Sequence, residues 1–278
     1  MGFEQFRYDG KKVLVVGGAT GMGAAAAQTA TALGAEVTVM DYAPVQYEVH
    51  RVIPMDLRDP ALIDSAVEKL GGAVDAVFAA AGIADGPDLM RSNFIGHRHL
   101  IERLIAEDRL PAGSAICFIS SVAGMGWELN LDTVREFLDT PDYDSALAWA
   151  ATQPEGAMHY GFSKQAINGY VALQAFPLLK KGIRINAICP GPTDTPLAQA
   201  NADLWLGFAQ DYRDATGRAV HVPEQMGNAM VFLNSDAASG ISGITLTVDS
   251  GHAMSSLSGG YPPGKPLMDI LTGRVQLA

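Results

Sequence analysis

Cysteine is scarce. The 278 residues hold only Cys117 and Cys189, each in an apolar, strand-like run and neither at metal-ligand spacing. That excludes a disulfide framework and fits buried free thiols in a reducing compartment. A cytoplasmic protein is therefore expected. Basic charge is also short: 19 Lys and Arg stand against 30 Asp and Glu, for a formal net charge of −11. Such a chain repels nucleic acid and anionic membrane, so neither is expected as a partner. No apolar run reaches the ~18 residues of a membrane span. The polar stretch from Met1 to Lys12 has no signal-peptide pattern. The six histidines are scattered and no His-Glu-x-x-His occurs, so no metal site is expected. There is no internal repeat and no linker-like break, so residues 1–278 are expected to form a single domain.

What is present is apolar and periodic. Hydrophobic residues make up 48% of the chain, ample for a sizeable core. Residues 13–16 are a β-branched run, followed by Gly17-Gly18-Ala19-Thr20-Gly21-Met22-Gly23 and an alanine-rich stretch, 24–33, that reads as a helix. Residues 36–40 form a second strand ending at Asp41. Glycines at 17, 21 and 23 let the backbone turn tightly against a pyrophosphate at a helix N-terminus. Asp41 follows Gly23 by 18 positions, near the spacing at which an acid accepts hydrogen bonds from an adenosine ribose. The alternation continues. Strands are expected at 50–54, 75–79, 114–119, 184–188 and 245–248, with helices at 61–70, 89–108, 197–214 and 224–233. This pattern predicts an α/β fold: a Rossmann-type, doubly wound parallel sheet with right-handed crossovers. Ligands in such sheets bind beyond the carboxyl ends of the strands, where Asp41, Asp56, Gly82 and Ser121 all fall.

Tyr160 and Lys164 open a long apolar run that ends at Leu179. On a helix, positions i and i+4 share a face. A free tyrosine has a pKa near ~10 and is a poor base at neutral pH. An ammonium beside it favours the phenolate, and the pair could then exchange a proton with an alcohol or ketone. By itself the spacing is common, and a surface cation beside a ring is the alternative reading. Between Ser121 and Tyr160 lie 39 positions with two helical patterns, Leu131/Val134/Phe137/Leu138 and Tyr143/Leu147/Ala151. They suggest a helical insertion at about 125–157. The tail, 252–278, is rich in Gly, Ser and Pro and is expected to be irregular.

Taken in order, these stretches resemble the short-chain dehydrogenase/reductase superfamily from about Lys12 to Gly251. The residues that carry the resemblance are Gly17-x-x-x-Gly21-x-Gly23, Asp41, Asp56, Ala81-Gly82, Asn93-x-x-Gly96, Ser120-Ser121, Tyr160-x-x-x-Lys164 and Pro190-Gly191-x-x-x-Thr195. Ala19 to Ala25, Thr195 to Ala200 and the long insertion look like the 3α-hydroxysteroid dehydrogenase/carbonyl reductase group. Bacterial coniferyl-alcohol dehydrogenases are similar too. The resemblance implies that Tyr160 is the general acid/base and that Lys164 lowers its pKa and holds the nicotinamide ribose. Ser121 would hydrogen-bond the substrate oxygen, and Asn93 would hold a water leading from Lys164 to solvent. It implies NAD as cofactor, held by Gly17, Thr20, Gly21, Met22, Gly23, Asp41, Asp56, Leu57, Ala80, Ala81, Gly82, Pro190, Gly191, Thr193 and Thr195. Three departures are visible: Val16 for the usual threonine, Ala80 for the asparagine of Asn-Ala-Gly, and Asp249-Ser250-Gly251 for Asp-Gly-Gly.

The expected activity is oxidoreduction of a secondary alcohol or ketone, with aryl or allylic primary alcohols as the alternative substrate class. A non-catalytic NAD-sensing regulator is a third reading, disfavoured because both Tyr160 and Lys164 are kept. The absence of a Gly-x-Ser-x-Gly elbow argues against a serine hydrolase. The insertion, with Trp127, Leu129, Leu131 and Trp149, is expected to shape a pocket for a bulky apolar substrate; the alternative is that these side chains only pack the inserted helices. A homo-oligomer, dimer or tetramer, is also expected from the resemblance.

Overall fold

Seven short apolar runs assemble into one parallel sheet in the computed structural model, which describes residues 3–275. The strands are β1 (Lys12–Val16), β2 (Glu36–Asp41), β3 (Arg51–Pro54), β4 (Ala76–Ala79), β5 (Ala115–Ile119), β6 (Arg184–Pro190) and β7 (Thr245–Val248). Their order across the sheet is β3-β2-β1-β4-β5-β6-β7. The order reverses between β1 and β4, so a crevice opens there at the carboxyl ends. β4, β5 and β6 are buried along their whole length. That is why they read as continuous apolar runs and not as alternation. The sequence expectation of a doubly wound α/β fold is met.

Helices cover both faces. On one face lie α1 (Gly21–Ala32) and α10 (Pro223–Asn234), packed on β1 and β2 through Ala26, Ala27, Met226 and Met230. The alanines of α1 permit a close approach: a side-chain carbon at Gly227 would stand 2.8 Å from the Ala26 nitrogen. On the other face lie α2 (Pro60–Leu70), α3 (Gly96–Ala106) and α6 (Tyr160–Leu179), with the inserted α4 (Leu131–Leu138) and α5 (Tyr143–Ala151).

The structure departs from the sequence expectations at three places. The helix expected over 89–108 begins as a π-helical turn, Arg91–Ile95, before α3. Gly96 passes so close to the Leu57 carbonyl that an added carbon would lie 2.4 Å from it. The helix expected over 197–214 is broken into α7 (Pro196–Gln199), α8 (Ala202–Trp205) and α9 (Gln210–Thr216), with Ala209 left-handed at φ 59°. The tail expected to be irregular carries α11 (His252–Ser258) and α12 (Lys265–Leu271). Its glycines sit at helix ends, Gly251 before α11 and Gly259 after it. Its few apolar residues, Ala253, Leu257, Met268 and Leu271, are enough to pack against Val122, Met125 and Phe208. Residues 276–278 of that tail lie outside the described residues.

Candidate active site

The glycine turn after β1 leaves no room for side chains. Gly17 has φ 83°, and a carbon added there would lie 2.3 Å from Ala81. A carbon at Gly23 would lie 2.0 Å from the Gly17 carbonyl. The turn delivers the chain into α1, whose N-cap, Thr20, makes no side-chain capping bond. The first amides of α1 are thereby left for an external anion. In front of them is a cavity of about 320 Å³. Every predicted cofactor residue from Gly17 through Gly82 lines it, as does Thr195. At its far end, Asp41 accepts from the Ala19 amide at 2.8 Å and the Ala43 amide at 2.9 Å. An uncapped helix end, a turn with glycine at its crowded positions and a carboxylate at the far end fit the pyrophosphate and ribose of a dinucleotide.

Several lining residues escaped the sequence reading, and Arg58 is the one cation among them. Arg58 enters the same cavity and forks onto Asp56, with Nη2–Oδ2 at 2.6 Å and Nε–Oδ1 at 2.9 Å. Its hydrogen bond holds the Asp56 carboxyl below the usual range. It also reaches Asp88 at 3.7 Å. Its position two residues beyond Asp56 was the available signal.

A second cavity, about 300 Å³, adjoins the first and shares Met22, Ala80, Gly82 and Thr195 with it. Ser121, Tyr160, Lys164, Pro190, Gly191 and Thr193 line it. His159 is the N-cap of α6, its Nδ1 accepting from the Phe162 amide at 3.2 Å. Tyr160 is therefore the first helical residue, and Lys164 follows one turn later on the same face. Lys164 is buried, and its Nζ donates to the Ile119 carbonyl at 3.0 Å. Burial pulls its pKa down to about 8.

Tyr160 departs from expectation. Burial pushes its pKa up to about 12, and the nearby Ser121 hydroxyl pulls the other way. The Lys164 ammonium stands 5.4 Å from the ring centroid and is aimed at the strand carbonyl. The lowering by Lys164 that the sequence suggested is thus not seen in this arrangement.

Asn93 lines neither cavity and is fully buried in the π-helical turn. Its Oδ1 accepts from the Ile83 amide at 2.7 Å, and its Nδ2 donates to the Ile83 carbonyl at 3.1 Å and to Ser163 Oγ at 3.1 Å. It pins the strand-end turn beside Gly82, where a carbon would come within 3.1 Å of Asn93 Oδ1 and 3.8 Å of Lys164 Nζ. His97 supports the same turn. Its ring is buried, with Nε2 2.9 Å from the Ala81 carbonyl. Because a carbonyl only accepts, Nε2 carries the proton. Burial pulls the His97 pKa down to about 4, so the ring is neutral at pH 7. His97 is structural, while its neighbour His99 pairs with Asp64 at 2.8 Å.

The insertion does not form the pocket wall. None of Trp127, Leu129, Leu131 and Trp149 lines either cavity. Trp149 packs on Phe137 and Phe162, with ring centroids 5.1 and 6.1 Å away, and Leu129 faces solvent. The wall comes instead from Trp205, Phe208 and Leu271. Trp205 lies 4.9 Å, centroid to centroid, from Tyr160. The sequence offered no signal for these three beyond their being apolar. Among the lining residues of this cavity, only Lys164 carries a charge. Among the described residues there is no group of His, Cys, Asp and Glu able to hold a metal ion, and no helix long and apolar enough to cross a membrane.

Comparison with known proteins agrees with this geometry. Residues 11–130 match a family model described as short chain dehydrogenase, and residues 145–253 match one described as Enoyl-(Acyl carrier protein) reductase. A cis-4-hydroxycyclohexanecarboxylate dehydrogenase of Sinomonas cyclohexanicum is 30% identical, over 86% of this chain and 95% of that protein. A coniferyl-alcohol dehydrogenase of a Pseudomonas strain is 26% identical over 87% of this chain and 96% of its own. The 3-alpha-hydroxysteroid dehydrogenase/carbonyl reductase of Comamonas testosteroni is 26% identical over 86% and 95%. Among solved structures, BdcA in complex with NADPH has a TM-score of 0.64 at 25% identity, covering 87% of this chain and 94% of that one.

Proposed function

The chain belongs to the short-chain dehydrogenase/reductase superfamily, and from that premise we propose an NAD-dependent enzyme that interconverts a bulky, uncharged, apolar alcohol and its carbonyl compound. The observation that carries the proposal is the junction of two cavities. The dinucleotide-shaped one runs into the one holding Ser121, Tyr160 and Lys164, across Ala80, Gly82 and Thr195.

When bound, the nicotinamide supplies or accepts the hydride. The residues of the chain handle the proton and the charge. Tyr160 gives its hydroxyl proton to the carbonyl oxygen in reduction and takes it back in oxidation. The Ser121 hydroxyl donates to the same oxygen and stabilises the charge that develops there. Lys164 would hold the nicotinamide ribose and keeps positive charge near Tyr160. Asn93 fixes the turn that faces both.

The preference for NAD is supported by Asp41. A carboxylate at that end of the cleft accepts from ribose hydroxyls and repels a 2′-phosphate. Arg58 is near, but its fork is filled by Asp56. The preference for an uncharged substrate is supported by the wall of Trp205, Phe208 and Leu271, which has no cation to pair with a carboxylate. That distinguishes the proposal from the acid named for the Sinomonas relative. A second reading, a primary aryl alcohol as named for the Pseudomonas relative, is favoured by the flat face of Trp205 beside Tyr160. The test is absorbance at the reduced-nicotinamide band with NAD or NADP and four alcohols: a steroid, a terpene, a cinnamyl-type alcohol and a hydroxy acid. Turnover confined to the hydroxy acid would refute the substrate class.

A further inference from the structure

We propose that Ser250 and His221 form a brace that positions the Pro190–Thr195 turn against the nicotinamide half of the cofactor. The inference rests on the cofactor reading above and adds two positioning residues to it.

Ser250 stands where the superfamily resemblance calls for glycine, and the backbone explains why glycine is usual. Its φ is 58°, in the left-handed region that side chains other than glycine rarely adopt. A residue held there against its preference points to a compensating interaction. The Ser250 hydroxyl lies 2.9 Å from His221 Nε2, and His221 Nδ1 lies 3.0 Å from the Pro192 carbonyl. Because that carbonyl only accepts, Nδ1 carries the proton, and in the neutral ring Nε2 accepts from Ser250. The hydrogen bonds thus run in one direction, from Ser250 through the buried His221 ring to Pro192.

The backbone reinforces the same contact. His221 N donates to the Pro192 carbonyl at 3.2 Å, and Asp194 N donates to the His221 carbonyl at 2.8 Å. Ser250 is itself tethered, its carbonyl accepting from Tyr212 Oη at 3.0 Å. Its neighbour Asp249 is fixed by the Gly251 and Ala253 amides at 2.8 and 2.7 Å. Gly191 packs so tightly on Asp249 that a carbon there would lie 2.8 Å from the Asp249 Cβ. The turn is therefore held from behind by Asp249, Ser250 and His221. Its front, with Pro190, Thr193 and Thr195, faces the catalytic cavity. Small displacements of a positioned reactant cost much of the benefit of binding it. The brace fixes where that front stands.

Ser250→Gly separates the two roles of the residue, because it relieves the backbone and removes the hydroxyl. The variant is expected to melt at or above the wild-type temperature. Its affinity for NADH should fall about fivefold, while affinity for ADP-ribose, which lacks the nicotinamide, stays within ~twofold. His221→Phe should give the same split. Ser250→Asn tolerates a left-handed backbone and offers an amide donor, so it should recover part of the NADH affinity. Equal affinities of Ser250→Gly and wild type for both ligands, or an equal loss for both, would overturn the brace. Wild-type protein that binds neither NADH nor ADP-ribose would overturn the cofactor reading, and the brace's role with it.

Discussion

Burial raises the pKa of Tyr160, and this sets the pH behaviour of the site. With its pKa pushed up to about 12, the phenol is the stable form at neutral pH. It is ready to donate in reduction and must lose a proton to act in oxidation. Alcohol oxidation is therefore expected to accelerate as pH rises through the alkaline range, while carbonyl reduction stays flat until the phenol ionises. Ser121 opposes the upward shift, so Ser121→Ala should move the oxidation profile to higher pH. Tyr160→Phe should abolish turnover, a loss of at least ~100-fold, and leave NADH binding intact by fluorescence titration. Near-normal turnover would remove Tyr160 from its role. His97 gives a prediction about stability. Its folded pKa, about 4, lies below the ordinary 6.5. Above pH 6.5 the ring is neutral in both folded and unfolded chains, and its contribution is fully present. Between 6.5 and 4 the unfolded chain binds the proton and the folded chain does not, so stability is lost as pH falls. The whole window is worth roughly 3 kcal/mol. His97→Gln should show a shallower fall in melting temperature over that window than the wild type. Parallel curves would place the effect elsewhere.

At the scale of elements, the insertion takes the packing role that was its alternative reading, and the tail, expected to be irregular, supplies pocket wall. α4 and α5 bury their aromatic side chains against α6 and α3, and the Tyr143 hydroxyl donates to the Leu57 carbonyl at 3.0 Å. The tail, through α12, brings Leu271 to the catalytic cavity and lies against Gly126, where an added carbon would meet the Thr272 carbonyl at 2.1 Å. Two substitutions should separate the two regions. Trp149→Ala should cost about 3 kcal/mol of stability and leave substrate preference alone. Leu271→Ala should change stability little and alter the ratio of kcat/KM between a bulky and a small alcohol. A shift in that ratio from Trp149→Ala, with none from Leu271→Ala, would restore the insertion as pocket wall. Periodicity made both inserted helices legible, because an apolar stripe marks a buried face. It carried no information about which surface the stripe would meet.

For the whole molecule, two properties follow from the sheet. Asp41 ends β2 at the rim of the cleft, so kcat/KM with NAD should exceed that with NADP by at least ~tenfold, and Asp41→Ala should erase most of the difference. Equal efficiency with both in the wild type would reject the preference. Among the described residues β7 pairs only with β6, and its other edge has no strand partner. Open edges invite pairing with another chain, and a homo-oligomer is expected by light scattering; a monomer at working concentration would contradict it. The sequence alone determined the alternation of strands and helices, and with it which residues stand at the strand ends. Asp41, Asp56, Gly82 and Ser121 could be placed at one crevice because a parallel sheet sends every such end the same way. The Tyr160–Lys164 face followed from helix geometry in the same way. Tertiary structure decided what depends on contacts between distant segments. Leu271 joins Trp205 and Phe208 at the cavity because α12 packs against Val122, Met125 and Phe208. The upward shift of Tyr160 and the neutrality of His97 come from burial, which no local pattern encodes. Local physics fixes the direction and face of each element; the environment of a side chain is fixed only when the elements pack.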